Sequence, residues 1–524
     1  MSENASENEP VRLRGADIVA RGLARAGTRY VFALSGNHIM RVFDAALDAK
    51  LPLVHVRHEA ATVHMADAWA RLTGEVGIAL VTGGPGHANA VSALYTALAA
   101  ESPVVLLSGH APLNELGKGA FQELAQAEMA APACKASWTV RSAETLGEDL
   151  ARAIRMATAG RPGPVHLSLP SDVLEAEVDA ELPAKEVFLP EFFLPKAGVN
   201  EEILEALQKA KRPLVVAGPA LGNARGRALL RQFEDATRVP AIVMESPRGV
   251  NDPSLGLLVE VLGAADLVVL AGKRRDFTLR FGAAFAADCR VIDVEAGVAQ
   301  WIAPASRRTW AKSGWLDEVR AAIAFRPAQW KSLASNPGGP LHPVEVGRAV
   351  QKLLDAPEAV LVADGGEFGQ WSQATLSARH RLINGPAGSI GAALPFAAAA
   401  KLALPGSNVV AMLGDGTFGF HASEIETAVR CGLAFVAVVG NDACWNAEYQ
   451  IQLCRYGAAR AHGLELLPAR YDRVAEGFGA HGENVERPAE LAPALERAAR
   501  AGRAACVNVM IERLPAPVFR RPDA

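Results

Sequence analysis

Short runs of Val, Ile and Leu recur along this chain, separated each time by Ala-rich amphipathic stretches, and that alternation constrains the fold more than any other feature. Apolar runs with helices between them make a parallel sheet covered on both faces. A first series places strands at 30–34, 53–56, 77–81, 103–107 and 165–169. A second places them at 214–217, 241–244, 267–271 and 291–294, and a third at 359–363, 409–413, 435–439 and 506–511. With 524 residues, the chain has room for about three domains of ordinary size. The expectation is an α/β protein of three doubly wound parallel-sheet domains. They span 11–182, 197–335 and 343–518, after a disordered leader over 1–10. The first boundary rests on the Glu-rich stretch 175–196, whose Pro183, Pro190 and Pro195 suit an extended linker. The second rests on a Pro/Gly/Ser-rich crossing at 332–343.

Composition excludes several classes of function. Lys and Arg number 53 against 57 Asp and Glu, so no basic excess exists to neutralise a phosphate backbone, and nucleic acid is not an expected partner. The longest uncharged apolar stretch, 392–400, ends at Lys401 and contains Pro395, whereas a spanning helix needs about 20 residues. No membrane partner is expected. The six cysteines form no CxxC pair, and the N-terminus is polar and acidic where a signal peptide would be basic and then apolar, so a reduced, cytoplasmic protein is expected.

The chemistry concentrates at two strand ends of the third series. The strand ending at Leu413 runs into Gly414-Asp415-Gly416-Thr417, and the next runs into Gly440-Asn441-Asp442-Ala443-Cys444. Neighbouring parallel strands bring these ends side by side, at the edge where ligands bind in such sheets. Asp415, Asp442 and a main-chain carbonyl form a partial octahedron for Mg²⁺, with positions left for diphosphate oxygens and water. A Gly-Asp-Gly turn alone is equally a structural turn. The pair, separated by 24 residues, carries the argument.

This spacing resembles the thiamine diphosphate motif of the superfamily that includes acetolactate synthase, benzaldehyde lyase and 2-hydroxyacyl-CoA lyase. The resemblance runs from about Arg12 to Val518. It implies pyrimidine-binding, central and diphosphate-binding domains in that order, with thiamine diphosphate and Mg²⁺ as cofactors. In that family the second residue of the Asn-Asp pair binds the metal, which points to Asp442 rather than Asn441, with Cys444 giving its carbonyl. Glu59, in the segment His55-Val56-Arg57-His58-Glu59, looks like the catalytic glutamate that hydrogen-bonds the aminopyrimidine and promotes proton removal from the thiazolium. Without the metal motif it would read equally as an acid at a helix N-terminus. Gly84, in Gly83-Gly84-Pro85-Gly86, resembles the turn beside the pyrimidine ring. In Gly388-Ser389-Ile390-Gly391, Ile390 would be the apolar wedge that bends the cofactor, and Gly388 would accept from its amino group. Backbone amides of Gly366, Glu367, Gly416 and Thr417 would hold diphosphate oxygens.

The cofactor implies making or breaking a carbon–carbon bond next to a carbonyl. His38, in Ser35-Gly36-Asn37-His38, stands where acetolactate synthases typically have Pro-Gly-Gly and where benzaldehyde lyase and some acyl-CoA lyase relatives carry histidine. That makes it a candidate proton relay; a core histidine donating to backbone is the plainer reading. Gln122, in Phe121-Gln122-Glu123, would hold a substrate oxygen. Ser171 occupies a position where acetolactate synthase usually has lysine. In the central domain, Lys273-Arg274-Arg275 resembles a segment that contacts FAD in flavin-containing relatives and lies near the ADP part of CoA in others, with Arg274 the contact; a solvated basic face is the alternative. The short stretch past Val518 suggests no long C-terminal lid for an acyl-CoA. The family builds each site between two chains, Glu59 from one and the Asp415 clamp from the other, which implies a homodimer or homotetramer acting on a small-molecule substrate. The expected activity is a lyase or carboligase acting on 2-oxo acids, 2-hydroxy ketones or aldehydes. The alternatives are a 2-hydroxyacyl-CoA lyase, a 2-oxo acid decarboxylase and a non-catalytic relative. A dehydrogenase would need a Gly-x-Gly-x-x-Gly turn after a strand, and no convincing one occurs.

Overall fold

The computed structural model describes residues 11–521, apart from 181, 190–198, 296 and 312. The leader over 1–10 and the linker prolines Pro190 and Pro195 lie outside the described residues. Two compact units divide the chain, Met1–Phe193 and Leu194–Ala524.

The first unit contains β1 (Val11–Arg14), β2 (Val31–Ala33), β3 (Leu53–His55), β4 (Gly77–Val81), β5 (Val104–His110), β6 (Ala136–Thr139), β7 (Val165–Pro170) and β8 (Glu177–Ala180). Six of these form a parallel sheet in the order β3-β2-β4-β5-β7-β6. The central strands are buried along their whole length, as the Val/Leu runs require. Leu80, Leu107 and Leu167 pack on Ile18, Val19, Leu146 and Leu150 to make the core of one face.

The second unit holds two parallel sheets. The smaller comprises β9 (Pro213–Ala217), β10 (Ala241–Val243), β11 (Leu267–Ala271) and β12 (Arg290–Val294), in the order β10-β9-β11-β12. The larger comprises β13 (Val360–Ala363), β14 (His380–Ile383), β15 (Val409–Gly414), β16 (Val436–Asn441), β17 (His481–Val485) and β18 (Ala505–Met510). Its order is β14-β13-β15-β16-β18-β17, the same winding as the six-stranded sheet of the first unit. Three parallel sheets flanked by helices therefore carry the fold, as the sequence predicts.

The differences from expectation have physical reasons. Strands β6, β14 and β17 went unpredicted, and each is the outermost strand of its sheet. Strands β6 and β17 are mostly half-buried and so need no Val/Ile/Leu run, while β14 is buried at three of four positions but offers only Leu382-Ile383 as an apolar signal. The first part of the expected linker is extended but tied down. Glu177–Ala180 pairs antiparallel with β1, and Phe188 is buried in the first unit's core. Asp415 opens the helix Asp415–His421 directly at the end of β15, where the sequence suggested a glycine loop before the next helix.

Candidate active site

In the first unit His38, Glu59 and Gly84 sit past the carboxyl ends of β2, β3 and β4, and Gln122 in the segment that follows β5. The order in which parallel strands are added reverses between β2 and β4, because β3 lies outside β2 and the path then crosses back; such a switch point opens a crevice at the sheet edge. His38 follows β2 in a short 3-10 turn and is 5% exposed. Its Nδ1 shares a hydrogen bond with Thr82 Oγ1 at 3.3 Å, and its ring stacks on Phe121 at 5.9 Å between centroids. Burial lowers its pKa, so the ring is neutral near pH 7. Gln122 follows with φ of +57°, a left-handed backbone that a non-glycine residue seldom adopts. Gly84 makes this close packing feasible, since a Cβ there would come within 2.7 Å of the Gln122 carbonyl. The loop is held from both sides. Gln126 Oε1 accepts the Gly84 N–H at 2.8 Å, while the Glu123 carboxylate accepts the N–H groups of Gly117, Gly119 and Ala120.

Glu59 begins the helix Glu59–Thr73, which His58 caps by accepting the Ala60 N–H. Its Oε2 accepts from Asn89 Nδ2 at 3.0 Å, and Oε1 lies 3.5 Å from where a Gly86 Cβ would stand. The acid is thus both at a helix N-terminus and within reach of the Gly83–Gly86 turn. Sequence reading passed over Thr82, Asn89 and Gln126. Thr82 directly precedes Gly83-Gly84, and that adjacency was the available signal.

In the second unit one cavity of about 290 Å³ gathers Gly366, Glu367, Gly388, Ile390, Asp415, Gly416, Thr417, Asp442 and Cys444 in its lining. Strand register explains the gathering: Gly414 on β15 pairs with Gly440 on β16, so both acidic strand ends emerge together. Asp415 Oδ2 accepts the Cys444 N–H at 3.2 Å, tying the two ends to each other. Asn441 turns the other way. Its amide donates to Asn508 Oδ1, whose own amide donates to Asn484, a ladder running across β16, β18 and β17. Asn441 Oδ1 also accepts the N–H of Ala443, which stands at φ +53°. Asp442, and not Asn441, is the residue of the pair on the cavity wall.

Arg513 donates to the Asp442 and Ala443 carbonyls, and Leu466 N–H also donates to Ala443, whereas no donor to the Cys444 carbonyl occurs among the described residues. Gly366, at φ +77°, opens the helix Gly366–Thr375. The Glu367 side chain is committed to an ion pair with Arg248 at 2.8 Å, so only its backbone remains for a ligand. Arg248, Phe368, Asn384 and Trp445 also line the cavity and were not predicted.

The arrangement fits a divalent cation and an extended ligand. Among the described residues no cationic side chain pairs with Asp415 or Asp442. Burial pushes Asp415 up to about 6; burial and then the neighbouring Asp415 push Asp442 up to about 7. A cation would reverse both shifts, and hard oxygen donors suit Mg²⁺. Gly416 leaves a cradle against the Trp445 ring that a Cβ would fill at 2.6 Å. Two buried acceptors on the cavity wall, Asn384 Oδ1 and Gln370 Oε1, have no partner.

In the central sheet, Lys273 pairs with Asp276 and Arg275 with Asp293, so the basic run is not a uniformly solvated face. The Arg274 guanidinium has no carboxylate partner among the described residues. No described helix is long and apolar enough to cross a membrane. All six cysteines are free.

Comparison with known proteins agrees with this geometry. Residues 13–129 match the family model for the thiamine pyrophosphate enzyme N-terminal TPP binding domain, and 364–509 match the C-terminal TPP binding domain. The chain is 32% identical over 523 residues to a probable acetolactate synthase of Mycobacterium bovis, covering 94% of this chain and 95% of that protein. It is 30% identical over 573 residues to human 2-hydroxyacyl-CoA lyase 2, covering 95% and 90%. A probable acetolactate synthase large subunit of Methanocaldococcus jannaschii is 26% identical over 551 residues, covering 95% and 92%. The chain belongs to the thiamine pyrophosphate enzyme family.

Proposed function

We propose that the protein is a Mg²⁺-dependent carbon–carbon lyase or carboligase that uses thiamine diphosphate on 2-oxo acids, 2-hydroxy ketones or aldehydes. The supporting observation is the neutral His38 held by Thr82 and stacked on Phe121, next in sequence to Gln122. Thiamine diphosphate, when bound, supplies the electron sink that lets a bond beside a carbonyl break or form. Asp415, Asp442 and the Cys444 carbonyl would hold the cation. Amides of Gly366, Glu367, Gly416 and Thr417 would hold the diphosphate, with Gly388, Ile390 and Gly84 against the pyrimidine.

Glu59 serves as the carboxylate that hydrogen-bonds the aminopyrimidine and relays its proton, oriented by Asn89. His38 takes the hydroxyl proton of a 2-hydroxy ketone or returns it to an acceptor aldehyde, because an imidazole titrating at or below its ordinary 6.5 is a base near pH 7. Gln122 donates to the substrate oxygen from a backbone that its neighbours hold rigid. A decarboxylation needs no such hydroxyl base. The likeness to proteins named 2-hydroxyacyl-CoA lyase 2 supports a second reading, cleavage of a 2-hydroxyacyl-CoA thioester, with Arg274 contacting the ADP part of CoA or of FAD. We further read the protein as a cytoplasmic homodimer or homotetramer.

The deciding experiment supplies thiamine diphosphate and Mg²⁺ with 2-oxo acids, 2-hydroxy ketones and 2-hydroxyacyl-CoA thioesters and follows aldehyde release or consumption. Carbon–carbon cleavage or ligation without any CoA thioester supports the first reading. Turnover confined to thioesters supports the second. Decarboxylation alone overturns both.

A further inference from the structure

The segment that carries Ile390 has no regular secondary structure, yet its backbone is fixed on both sides of that residue. On the following side, Gly391 N–H donates to both oxygens of Asp364, at 3.0 and 3.1 Å. Ala393 N–H, at the start of the helix Ala393–Ala403, donates to Asp364 Oδ2 at 3.1 Å. The Gly391 carbonyl shares a hydrogen bond with His421 Nδ1 at 2.8 Å. On the preceding side, Asn384 Nδ2 donates to the Ser389 carbonyl at 2.8 Å. Two glycines let the segment close down. A Cβ on Gly365 would come within 2.6 Å of Ile390 Cγ2, and one on Gly391, at φ +94°, within 2.4 Å of Phe420.

Asp364 is 1% exposed and, among the described residues, its carboxylate has no cationic partner; the bonds it makes go to backbone N–H groups, including Gly365 N–H at 2.7 Å. Burying a carboxylate without a counter-charge is costly, and here burial outweighs the N–H donors and pushes its pKa up to about 6. An asparagine of the same shape has one acceptor oxygen and would turn its amide donor on the remaining N–H groups, so holding Gly391 and Ala393 together takes both oxygens of the carboxylate.

We propose that Asp364 is a positioning residue for the reaction: by gripping the amides of Gly391 and Ala393 it fixes Ile390 at the height at which that side chain bends the bound cofactor. This rests on the reading of Ile390 as the cofactor wedge. Asp364 is not among the residues that line the cavity, and it acts through the backbone.

The test uses the full-length protein loaded with thiamine diphosphate and Mg²⁺, in four forms: wild type, Ile390→Ala, Asp364→Asn and the double variant. Three quantities are read: hydrogen–deuterium exchange at C2 of the bound cofactor, cofactor affinity by tryptophan fluorescence titration, and thermal midpoint without cofactor. Misplacement by a fraction of an ångström should slow exchange at least ~10-fold in Asp364→Asn, as it should in Ile390→Ala, in cofactor-loaded protein held well below the thermal midpoint of each variant. The double variant should be slower than Ile390→Ala by no more than about twofold, since both changes remove one function. Exchange at the wild-type rate in Asp364→Asn, or additive effects in the double variant, overturns the proposal. So does a fall in midpoint and affinity with exchange unchanged, which marks a merely structural role. Wild-type exchange in Ile390→Ala removes the wedge reading itself, and the inference with it. If Asp364→Asn does not fold, Asp364→Glu, which keeps both acceptor oxygens but moves them by one methylene, carries the same comparison.

Discussion

Phe121 lies almost parallel to the buried ring of His38, with 18° between the planes, and is itself two-thirds exposed. The aromatic ring is thus a cover that separates the imidazole from bulk water. Removing it in Phe121→Ala should raise the His38 pKa toward its ordinary value of about 6.5, because desolvation is the leading cause of its depression. The acid limb of the pH–rate profile for ligation should move to higher pH. Imidazole NMR shifts followed through the titration check this, and an unmoved His38 would sink it.

His38→Ala should suppress cleavage and formation of hydroxy ketones by ~10²–10⁴-fold while leaving decarboxylation of a 2-oxo acid much less affected. Parallel assays on one preparation measure the ratio. Equal loss of both activities removes His38 from the proton path.

Even outer-shell changes at metal sites typically cost 10–100-fold in affinity, so Asp415→Ala should weaken cofactor retention in the presence of Mg²⁺ by more than ~100-fold. Wild type stripped with a chelator should show the same weakness and recover on adding Mg²⁺. Undiminished binding in the variant, or no metal effect in the wild type, would refute the clamp.

Glu59→Gln should retain cofactor yet slow its C2 exchange by ~10²–10⁴-fold, the usual cost of losing an acid–base group. Asn89→Leu, which removes the amide donating to Glu59 Oε2, should slow exchange by a smaller factor. Quenched-flow NMR of bound cofactor distinguishes the two.

The first unit should be acid-sensitive. His87 and His166 lie 4.5 Å apart between ring centroids, both fully buried, with Nδ1 on Ser108 and Ser137 and neither Nε2 partnered. Burial lowers His87 to about 4 and His166 well below its ordinary range, His110 adding a like-charge contribution to each. Native protein therefore binds fewer protons than unfolded protein below pH 6.5, so stability is full above 6.5 and falls as the pH drops toward 4. For His87 alone the loss is on the order of 3 kcal/mol. Amide exchange protection of β5 and β7, corrected for intrinsic rates, should fall between pH 7.5 and 5 and fall less in His166→Gln. Equal protection at both pH values would count against it.

What the sequence disclosed follows burial. Central strands announce themselves as apolar runs, and the acidic strand ends are legible because Gly-Asp-Gly and Asn-Asp stand at fixed distances from such runs. Edge strands announce themselves only where they carry such a run, as β3, β10 and β12 do and β6, β14 and β17 do not. Residues that act through tertiary partners do not announce themselves: Asn89 is an ordinary helical asparagine until the turn at Gly86 brings Glu59 to it, and Asp364 reads as one more acid until Gly391 folds back over it. The Asn441 ladder is likewise invisible in sequence, since its three members are 24 and 43 residues apart along the chain.

The shared winding of the two six-stranded sheets has a consequence for engineering. Loops in equivalent positions carry the residues proposed above: after the first strand of each sheet stand His38 and Asp364, after the second Glu59 and Ile390, after the third Gly84 and Asp415. The strands are held by their pairing and burial, in which the loops take no part, so each loop is free to be exchanged while the strand that carries it stays as it is. New specificity in this protein is therefore to be sought by grafting at those paired positions, which changes the content and keeps the frame.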